Sequence, residues 1–330
     1  MTPLPSTMTL RRPTLADAQA LLALAVADEV HAIGRATLTQ AEVEEMLVPA
    51  HTSIGKDQWV VLDADAQIVG WGLVWDHGNT DHQEVDVYRD PSRAGERVRE
   101  ALLDLLVARL GERARESGYA RIDVYAGTYA DDTAYAATLR SRGFVFTRTF
   151  HRLHMALPAD VPLASPSLDG VRVMPFDFTD HGWRRFHQVV QESFVDHFGF
   201  VSVAYDDYRA DAQAESSPDH EFWRVATVDG DIVGVVKASG RSAELNIGYV
   251  AELAVLPAYR GRGIARALLL DTFEAYRRAG RSRGELTVDT ENTTGALRLY
   301  TSIGMRTDIE IHAYTRDVLP SAPTDPAPAA

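Results

Sequence analysis

The chain contains two copies of one sequence pattern, and this repetition limits its possible folds more than any other feature. Residues 59–70 read WVVLDADAQIVG and residues 223–234 read WRVATVDGDIVG, so the two segments align without a gap. Residues 91–103 align in the same way with residues 257–269. Residues 59–70 and residues 223–234 are each predicted to form two strands joined by a polar turn. The chain is therefore expected to fold as two similar units.

Composition between and after the copies indicates the boundaries. Residues 157–168 read LPADVPLASPSL, in which prolines and small residues are typical of a linker. With 330 residues, 45% of them hydrophobic, the chain can bury two cores. We expect a first domain at 1–157, a linker at 158–169 and a second domain at 170–318. Residues 319–330 are rich in Pro and Ala and are expected to be a disordered tail.

Overall composition excludes several classes of function. The chain has no cysteine, which removes disulfides and thiolate chemistry, and its eleven histidines lack the HExxH spacing of a zinc site, so we expect no metal. A net charge of −14 argues against nucleic acid as a partner. No apolar run is long enough to span a membrane, and the first residues lack the apolar core of a signal peptide. We expect a cytoplasmic monomer or homodimer.

The stretch with the clearest chemistry is residues 250–266, VAELAVLPAYRGRGIAR. It predicts a strand, a glycine-rich loop and a helix, which is the arrangement that directs free backbone N–H groups at an anion. Gly261 and Gly263 would let the backbone approach that anion closely. Positive charge is added by the arginines of the stretch, Arg260, Arg262 and Arg266. A pyrophosphate is the expected ligand.

Two familiar phosphate loops do not fit this stretch. The triphosphate-binding loop needs GxxxxGK[ST], and the dinucleotide loop needs a third glycine where Arg266 stands. Residues 260–265 instead resemble the acyl-CoA loop of the GNAT N-acetyltransferases, Arg/Gln-x-x-Gly-x-Gly/Ala. A second motif of that family, an Asn about eight residues before a Tyr and then Gly-Phe, is matched by Asn292, Tyr300 and Gly304-Met305. A helix is expected from Thr293 to Ser302.

The resemblance to GNAT enzymes implies a fold, a cosubstrate and a reaction. The fold is α/β (α+β), with two tandem domains, each a mixed and mainly antiparallel twisted sheet flanked by helices, and with a splayed strand pair at the CoA site. The cosubstrate is acetyl-CoA, whose acetyl group moves to a primary amine of a small molecule by direct attack in a ternary complex. Its binding would involve Leu253, Ala254, Val255, Arg260, Gly261, Arg262, Gly263, Ile264, Ala265 and Asn292.

Three side chains are candidates for the proton transfers of this reaction. In the family, the tyrosine matching Tyr300 donates a proton or hydrogen bond to the departing CoA thiolate. An attacking ammonium must lose a proton, for which Glu252 is the first candidate base and Asp289, at the end of the next strand, the second. Glu252 could equally be an outward-facing strand residue, and Tyr300 a core residue.

Residues 192–221 are rich in acidic and aromatic side chains, which would suit a cationic amine. The substrate-binding candidates there are Asp196, His197, Phe198 and Tyr205. An amphipathic helix pair with solvated acids remains an alternative explanation of the same pattern. Tandem family members of the mycothiol synthase type are similar, which leaves acetylation of a cysteinyl pseudodisaccharide open. A non-catalytic acyl-CoA sensor or scaffold is the alternative from another class.

The two copies differ at the loop, which locates the chemistry in the second copy. Where the second copy has Arg260 to Gly263, the first has Ala94, Gly95, Glu96 and Arg97, so a cation and a glycine are missing. Glu96 would place negative charge near a pyrophosphate. Leu139 stands at the position of Tyr300 and cannot donate a proton. The first domain is expected to be a degenerate GNAT unit.

Overall fold

Strands and helices follow each other in the order that the repeat predicts. The computed structural model describes residues 2–49, 51–76, 80–195, 197–214, 219–240, 243–292 and 295–322. The strands in these residues are Thr9–Arg11 (β1), Gln58–Leu62 (β2), Ile68–Asp76 (β3), His82–Arg89 (β4), Ile122–Tyr129 (β5), Val145–Ala156 (β6), Arg172–Pro175 (β7), Arg224–Val228 (β8), Asp231–Ser239 (β9), Ile247–Val255 (β10), Arg283–Asp289 (β11) and Arg306–Val318 (β12). The α-helices are Ala18–Ile33 (α1), Gln40–Leu47 (α2), Glu96–Ser117 (α3), Thr133–Ser141 (α4), Asp180–Phe194 (α5), Tyr205–Ala214 (α6), Ile264–Arg278 (α7) and Ala296–Ser302 (α8).

The described residues form two compact units that exchange strand segments. The first unit contains the described residues of Met1–Ala36, Met46–Thr147 and His312–Ala330, and the second those of Thr37–Glu45 and Arg148–Ile311. Most of β6 thus belongs to the second unit, and the last part of β12 belongs to the first. The units group the chain differently from the boundaries expected at 157, 169 and 318, which stay a prediction about the sequence repeat.

Each unit has a mixed sheet with one parallel strand pair at the same place in its order. In the second unit the order is β12, β6, β11, β10, β9, β8, β7, with β10 and β11 parallel and the pairs β7/β8, β8/β9, β9/β10 and β11/β6 antiparallel. In the first unit the order is β1, β2, β3, β4, β5, β12, with β4 and β5 parallel and the preceding pairs antiparallel. These sheets confirm the predicted mixed, mainly antiparallel α/β fold.

The glycines that end the repeated segment allow a helix to approach the sheet closely. A Cβ on Gly234 would lie 3.0 Å from Leu268 and 3.2 Å from Ile264 of α7. A Cβ on Gly70 would lie 2.5 Å from Val98 of α3. Since side chains are excluded in the same place in both units, packing explains why glycine stands at the same position of both copies.

The expected linker and tail contact the rest of the chain. Within the linker, the Leu163 N–H donates to Glu274 Oε2 at 2.9 Å and the Ser165 hydroxyl to the Ala267 carbonyl at 3.0 Å, so this segment lies against α7. At the start of the tail, the Ser321 N–H donates to the Gly111 carbonyl at 2.8 Å. Residues 323–330 lie outside the described residues. None of the helices described is both long enough and apolar enough to cross a membrane.

Helix α7 packs closely against β10 at Gly248, so a substitution of this glycine tests the packing. A Cβ on Gly248 would lie 2.3 Å from the ring of the fully buried Tyr276. We expect Gly248→Ala to lower the free energy of unfolding by about 2 kcal/mol, because the ring must shift in a packed core. Gly55→Ala is the matched control, since a Cβ there has only Ser53 Oγ nearby at 3.9 Å. Urea unfolding of the two variants measures the difference, and equal midpoints would contradict the packing argument.

Candidate active site

A cleft of about 550 Å³ opens in the second unit between β10 and β11. Strands β10 and β11, the loop before α7, helix α8, the segment after α5 and one residue of β6 all contribute to its walls. Its lining includes Phe150, Phe194, His197, Phe198, Phe200, Ala251, Leu253, Ala254, Val255, Tyr259, Arg260, Gly261, Gly263, Ile264, Ala265, Arg266, Asp289, Asn292 and Tyr300. The cleft therefore brings together the loop motif and the Asn–Tyr motif, which lie far apart in the sequence.

The cleft exists because β10 separates from β11 before either strand ends. Parallel pairing between them ends at Val250 and Leu286, whereas β10 continues to Val255 and β11 to Asp289. The register of β10 with β9 also shifts between Val250 and Glu252, so a β-bulge lies at the point of separation. This is the splayed strand pair that the sequence predicted.

Separation of the strands leaves backbone donors of β10 facing the cleft. The Leu256 N–H donates to the Val233 carbonyl of β9 at 3.0 Å. Because successive N–H groups of a strand point to opposite edges, the Ala254 N–H also faces β9, and those of Leu253 and Val255 face the cleft. Of the three predicted backbone contacts, Leu253 and Val255 therefore present N–H groups to a ligand, and Ala254 only contributes to the wall.

The glycine-rich loop has the backbone conformation that its sequence requires. Gly261 and Gly263 have φ angles of 75° and 81°, which are values that residues with a Cβ rarely adopt. Gly263 is the N-cap of α7, and the helix begins at Ile264. The first N–H groups of a helix have no partner within it, so those of the α7 start lie beside the cleft as anion donors.

The three arginines of the loop and of the first turn of α7 differ in the groups that they contact. Arg260 donates from Nε to the Val255 carbonyl at 3.1 Å and from Nη2 to the Ser193 carbonyl at 2.8 Å, so it connects the end of α5 with the end of β10. Arg262 stacks 5.6 Å from the Tyr259 ring and does not line the cleft. Arg266 does line it. The sequence identified the cations but not which of them bind protein carbonyls.

The second motif places a buried phenol at the cleft. Tyr300, on α8, is 8% exposed and lines the cleft with Asn292. Burial raises the pKa of the Tyr300 hydroxyl to about 12. The helix that we expected from Thr293 begins at Ala296 in the structure, and Thr293 itself lies outside the described residues. Tyr300 thus keeps its proton at neutral pH while facing the cleft.

The two candidate bases have different surroundings. Asp289 lines the cleft, but its Oδ1 accepts the Glu291 N–H at 2.9 Å and its Oδ2 lies 3.7 Å from Arg148 Nε. Glu252 is half-buried, is not part of the cleft lining, and accepts the Tyr208 hydroxyl on Oε2 at 2.9 Å. The Asp289 carboxylate therefore already accepts a hydrogen bond within a turn and lies in an ion pair. The Glu252 carboxylate accepts one hydrogen bond, from a neutral donor.

The expected substrate-binding residues separate in the structure. His197 and Phe198 line the cleft. Tyr205 does not, and its ring lies 4.3 Å from the Arg184 guanidinium. Asp196 lies outside the described residues. The cleft wall also contains Phe150, which the sequence did not indicate, because only the pairing of β6 with β11 places it opposite Asp289.

Aromatic rings, and not acids, form the wall of the cleft at the end of α5. The last residue of α5, Phe194, and the segment after it, with His197, Phe198 and Phe200, line the cleft. Within the described part of residues 192–221, no acidic side chain lines it. Two of its acids bind elsewhere: Glu192 accepts from Gln188 at 2.6 Å, and Asp219 lies 3.3 Å from Arg281.

The equivalent place in the first unit is filled by ion pairs. Parallel pairing of β4 and β5 also stops early, at Glu84 and Tyr125. Arg99, which aligns with Ala265 in the repeat, is 3% exposed and lies 2.8 Å from Asp28 and 2.7 Å from Asp132.

A residue of the aligned loop in the first unit also has a charged partner within the protein. Glu96 lies 2.9 Å from Arg89. Leu139, which aligns with Tyr300, is fully buried in the core. The residues of the first unit that align with the loop and with Tyr300 thus have charged partners or lie in the apolar core.

Comparison with known proteins agrees with this geometry. Residues 183–305 match the model of the acetyltransferase (GNAT) family. The mycothiol acetyltransferase of Frankia alni is 31% identical over 254 residues, which are 73% of this chain and 71% of the relative. That of Frankia casuarinae is 30% identical over 248 residues, covering 72% and 67%. The chain belongs to the GNAT family of acetyltransferases. It is an acyltransferase, as predicted, and acetyl-CoA is the cosubstrate that this family uses.

Solved structures show the tandem GNAT fold. A GCN5-related N-acetyltransferase from Sphaerobacter thermophilus superposes with a TM-score of 0.82 at 24% identity, covering 97% of this chain and 98% of its own. A tandem GNAT protein from the clavulanic acid biosynthesis pathway superposes with a TM-score of 0.70 at 18% identity, covering 96% and 100%. The similarity extends over both units.

The loop geometry predicts one acetyl-CoA site per chain. Gly263→Glu should abolish acetyl-CoA binding, because a Cβ is strained at φ 81° and the carboxylate would repel a pyrophosphate. Glu96→Gln, at the aligned loop of the first unit, is the control and should leave binding unchanged. Calorimetric titration measures both affinity and stoichiometry. Two sites per wild-type chain, or normal binding by the Gly263 variant, would contradict the assignment.

Proposed function

We propose that the second unit transfers the acetyl group of acetyl-CoA to a primary amine of a small molecule by direct attack in a ternary complex. One observation carries this proposal: a single cleft joins the open edge of β10, the positive-φ glycine loop and the buried Tyr300. Direct attack requires the amine and the thioester in one cavity at once, and this cleft has walls from both the loop and the segment after α5.

The cosubstrate would be bound by backbone groups more than by side chains. The first N–H groups of α7 and the loop after Gly261 suit the pyrophosphate, with Arg266 as the cation at the wall. The N–H groups of Leu253 and Val255 suit the pantetheine arm and the thioester carbonyl, where a donor stabilises the charge that develops during attack. Asn292 lies on the opposite wall, beside α8.

Tyr300 is the proposed donor to the departing thiolate. The Tyr300 side chain is buried at the cleft, and the raised pKa of its hydroxyl keeps the proton on the oxygen at neutral pH. A phenol with a pKa of about 12 is a weak acid, so its contribution is a hydrogen bond that strengthens as negative charge grows on sulfur.

Glu252 is the proposed base, with Asp289 the second candidate. Asp289 already accepts a backbone N–H and lies 3.7 Å from Arg148, so its oxygens have partners within the protein. Glu252 has one neutral donor, and its other oxygen, Oε1, has no hydrogen-bond partner among the described residues. Because Glu252 is not part of the cleft lining, an ammonium in the cleft would pass its proton to Oε1 through a water.

The acceptor is proposed to be an amine with an aromatic or apolar body. Four rings at the end of α5 and in the segment after it, together with Phe150, offer flat apolar contacts next to the open edge of β10. The cysteinyl pseudodisaccharide stays among the acceptors to test, because the relatives from Frankia are mycothiol acetyltransferases. We also propose a cytoplasmic location, since a chain without cysteine has no disulfide that would need an oxidising compartment.

An acceptor panel tests the reaction and its specificity. Purified protein with acetyl-CoA is offered tyramine, butylamine, glucosamine or the cysteinyl pseudodisaccharide, and the release of free CoA thiol is followed. We expect turnover of tyramine to exceed that of butylamine by about tenfold, which is the value of one good aromatic contact. Acetyl-CoA binding without turnover of any amine would contradict the proposal and favour a sensor or scaffold.

Removal of the Tyr300 hydroxyl tests its role as donor. Tyr300→Phe should lower kcat at least about tenfold and leave the acetyl-CoA Kd nearly unchanged, because the hydrogen bond forms only as the thiolate departs. The phenol proton is fully present below about pH 11 and is lost only as pH rises through its pKa of about 12. The variant should therefore keep the shape of the wild-type pH–rate profile from about pH 6 to 10.

Tyr259→Phe is the matched control, since Tyr259 also lines the cleft but has no proposed role. Wild-type turnover in Tyr300→Phe, or an alkaline limb that disappears with it, would remove Tyr300 from the mechanism as described.

A further inference from the structure

A tyrosine from helix α6 contacts the proposed base. The Tyr208 hydroxyl donates to Glu252 Oε2 at 2.9 Å across a separation of 44 residues. Tyr208 is only 9% exposed, so its hydroxyl group cannot turn freely into solvent. Glu252 is therefore held from one side by a residue that no family motif includes.

The ring of Tyr208 is itself fixed by its neighbours. The His187 ring lies 5.2 Å from it, and His187 Nε2 is 2.8 Å from the Val203 carbonyl. Lys237 Nζ lies 5.8 Å from the centre of the Tyr208 ring and at the same distance from that of Trp223. A tyrosine has two side-chain torsions, and contacts on the ring from two sides restrict both. The position of the hydroxyl, and with it that of Oε2, follows from this packing.

The arrangement leaves one carboxylate oxygen for chemistry. Lys237 is the register partner of Glu252 in the β9/β10 pair, so the two side chains lie on the same face of the sheet. With Oε2 bonded to Tyr208, the remaining acceptor oxygen is Oε1, which has no partner within the described part of the chain. A base that is fixed at one oxygen presents the other in a constant direction.

The first unit has a shorter acid at the equivalent strand position. Asp86 of β4 aligns with Glu252, and it accepts the Trp75 indole N–H at 2.8 Å from the neighbouring strand. Its register partner on β3 is Leu73, where the second unit has Lys237. The tyrosine donor and the lysine thus occur in the unit that has the open cleft.

We propose that Tyr208 is a positioning residue for the reaction: it orients Glu252 so that Oε1 accepts the proton of the acceptor ammonium. The inference rests on the proposed function, in which Glu252 is the base. The proton moves from the ammonium to Oε1, and the neutral nitrogen then forms the bond to the acetyl carbon as the carbon–sulfur bond breaks. The second proton that this nitrogen must lose passes through solvent to the departing CoA thiolate, which leaves as the free thiol. Tyr208 keeps its own proton throughout, and the proton on Glu252 later passes to solvent.

A double-mutant cycle tests this role with the best amine of the acceptor panel. Tyr208→Phe should lower kcat about tenfold with the KM for acetyl-CoA within about twofold, and Glu252→Gln should lower kcat at least about 100-fold. The double variant should equal Glu252→Gln, because Tyr208 acts only through the carboxylate. Tyr314→Phe, which removes a buried hydroxyl bonded to Arg140 in the first unit, is the control and should have wild-type kcat.

Each outcome of the cycle either supports or overturns the role of Tyr208. Wild-type kcat in Tyr208→Phe, or additive losses in the double variant, overturns the role of Tyr208 while the base assignment stands. Wild-type kcat in Glu252→Gln overturns both, and acetyl transfer would then need another base.

Two further measurements test the same role, the first without the phenylalanine variant and the second without an amine. Glu252→Asp withdraws the carboxylate by one methylene from an unchanged Tyr208, and should also lose about tenfold or more in kcat. A crystal structure of Tyr208→Phe with CoA should show the Glu252 carboxylate displaced from its wild-type position. An unmoved carboxylate would overturn the positioning role.

Discussion

Strands β10 and β11 stop sharing hydrogen bonds at Val250 and Leu286, although both continue for several residues. A buried N–H without a partner costs about 1–3 kcal/mol, so the open edge of β10 must be satisfied by water or by a ligand. The same separation makes room for the cleft and sets the glycine loop at its end. A ligand with its own row of acceptors, such as an extended amide chain, can replace the missing strand.

The two units show that this separation is not sufficient for a site. Strands β4 and β5 separate in the same way, yet Arg99 and its partners Asp28 and Asp132 fill the space with ion pairs. Breaking a buried ion pair leaves an uncompensated charge and is strongly destabilising. The first unit therefore keeps the shape of the fold and is stabilised by buried ion pairs around Arg99.

Local features of the site could be predicted from the sequence, and distant ones could not. A left-handed glycine loop before a helix depends on neighbouring residues alone, so Gly261 and Gly263 were identifiable. Phe150 and Tyr208 reach the site through strand pairing and helix packing over long sequence separations, for which one sequence carries no signal. Arg260 shows a third case, because its charge was evident but its carbonyl partners at Ser193 and Val255 were not.

The exchange of strand segments also constrains the order in which the protein can form. The first unit includes residues from His312 onward, so a ribosome must make nearly the whole chain before that unit has all its parts. Residues such as Tyr314 and Val318, which are buried in the first core, are the last of that core to be synthesised. The buried residues of the second core lie between Leu153 and Met305, so the first unit cannot complete its core until that of the second has been synthesised.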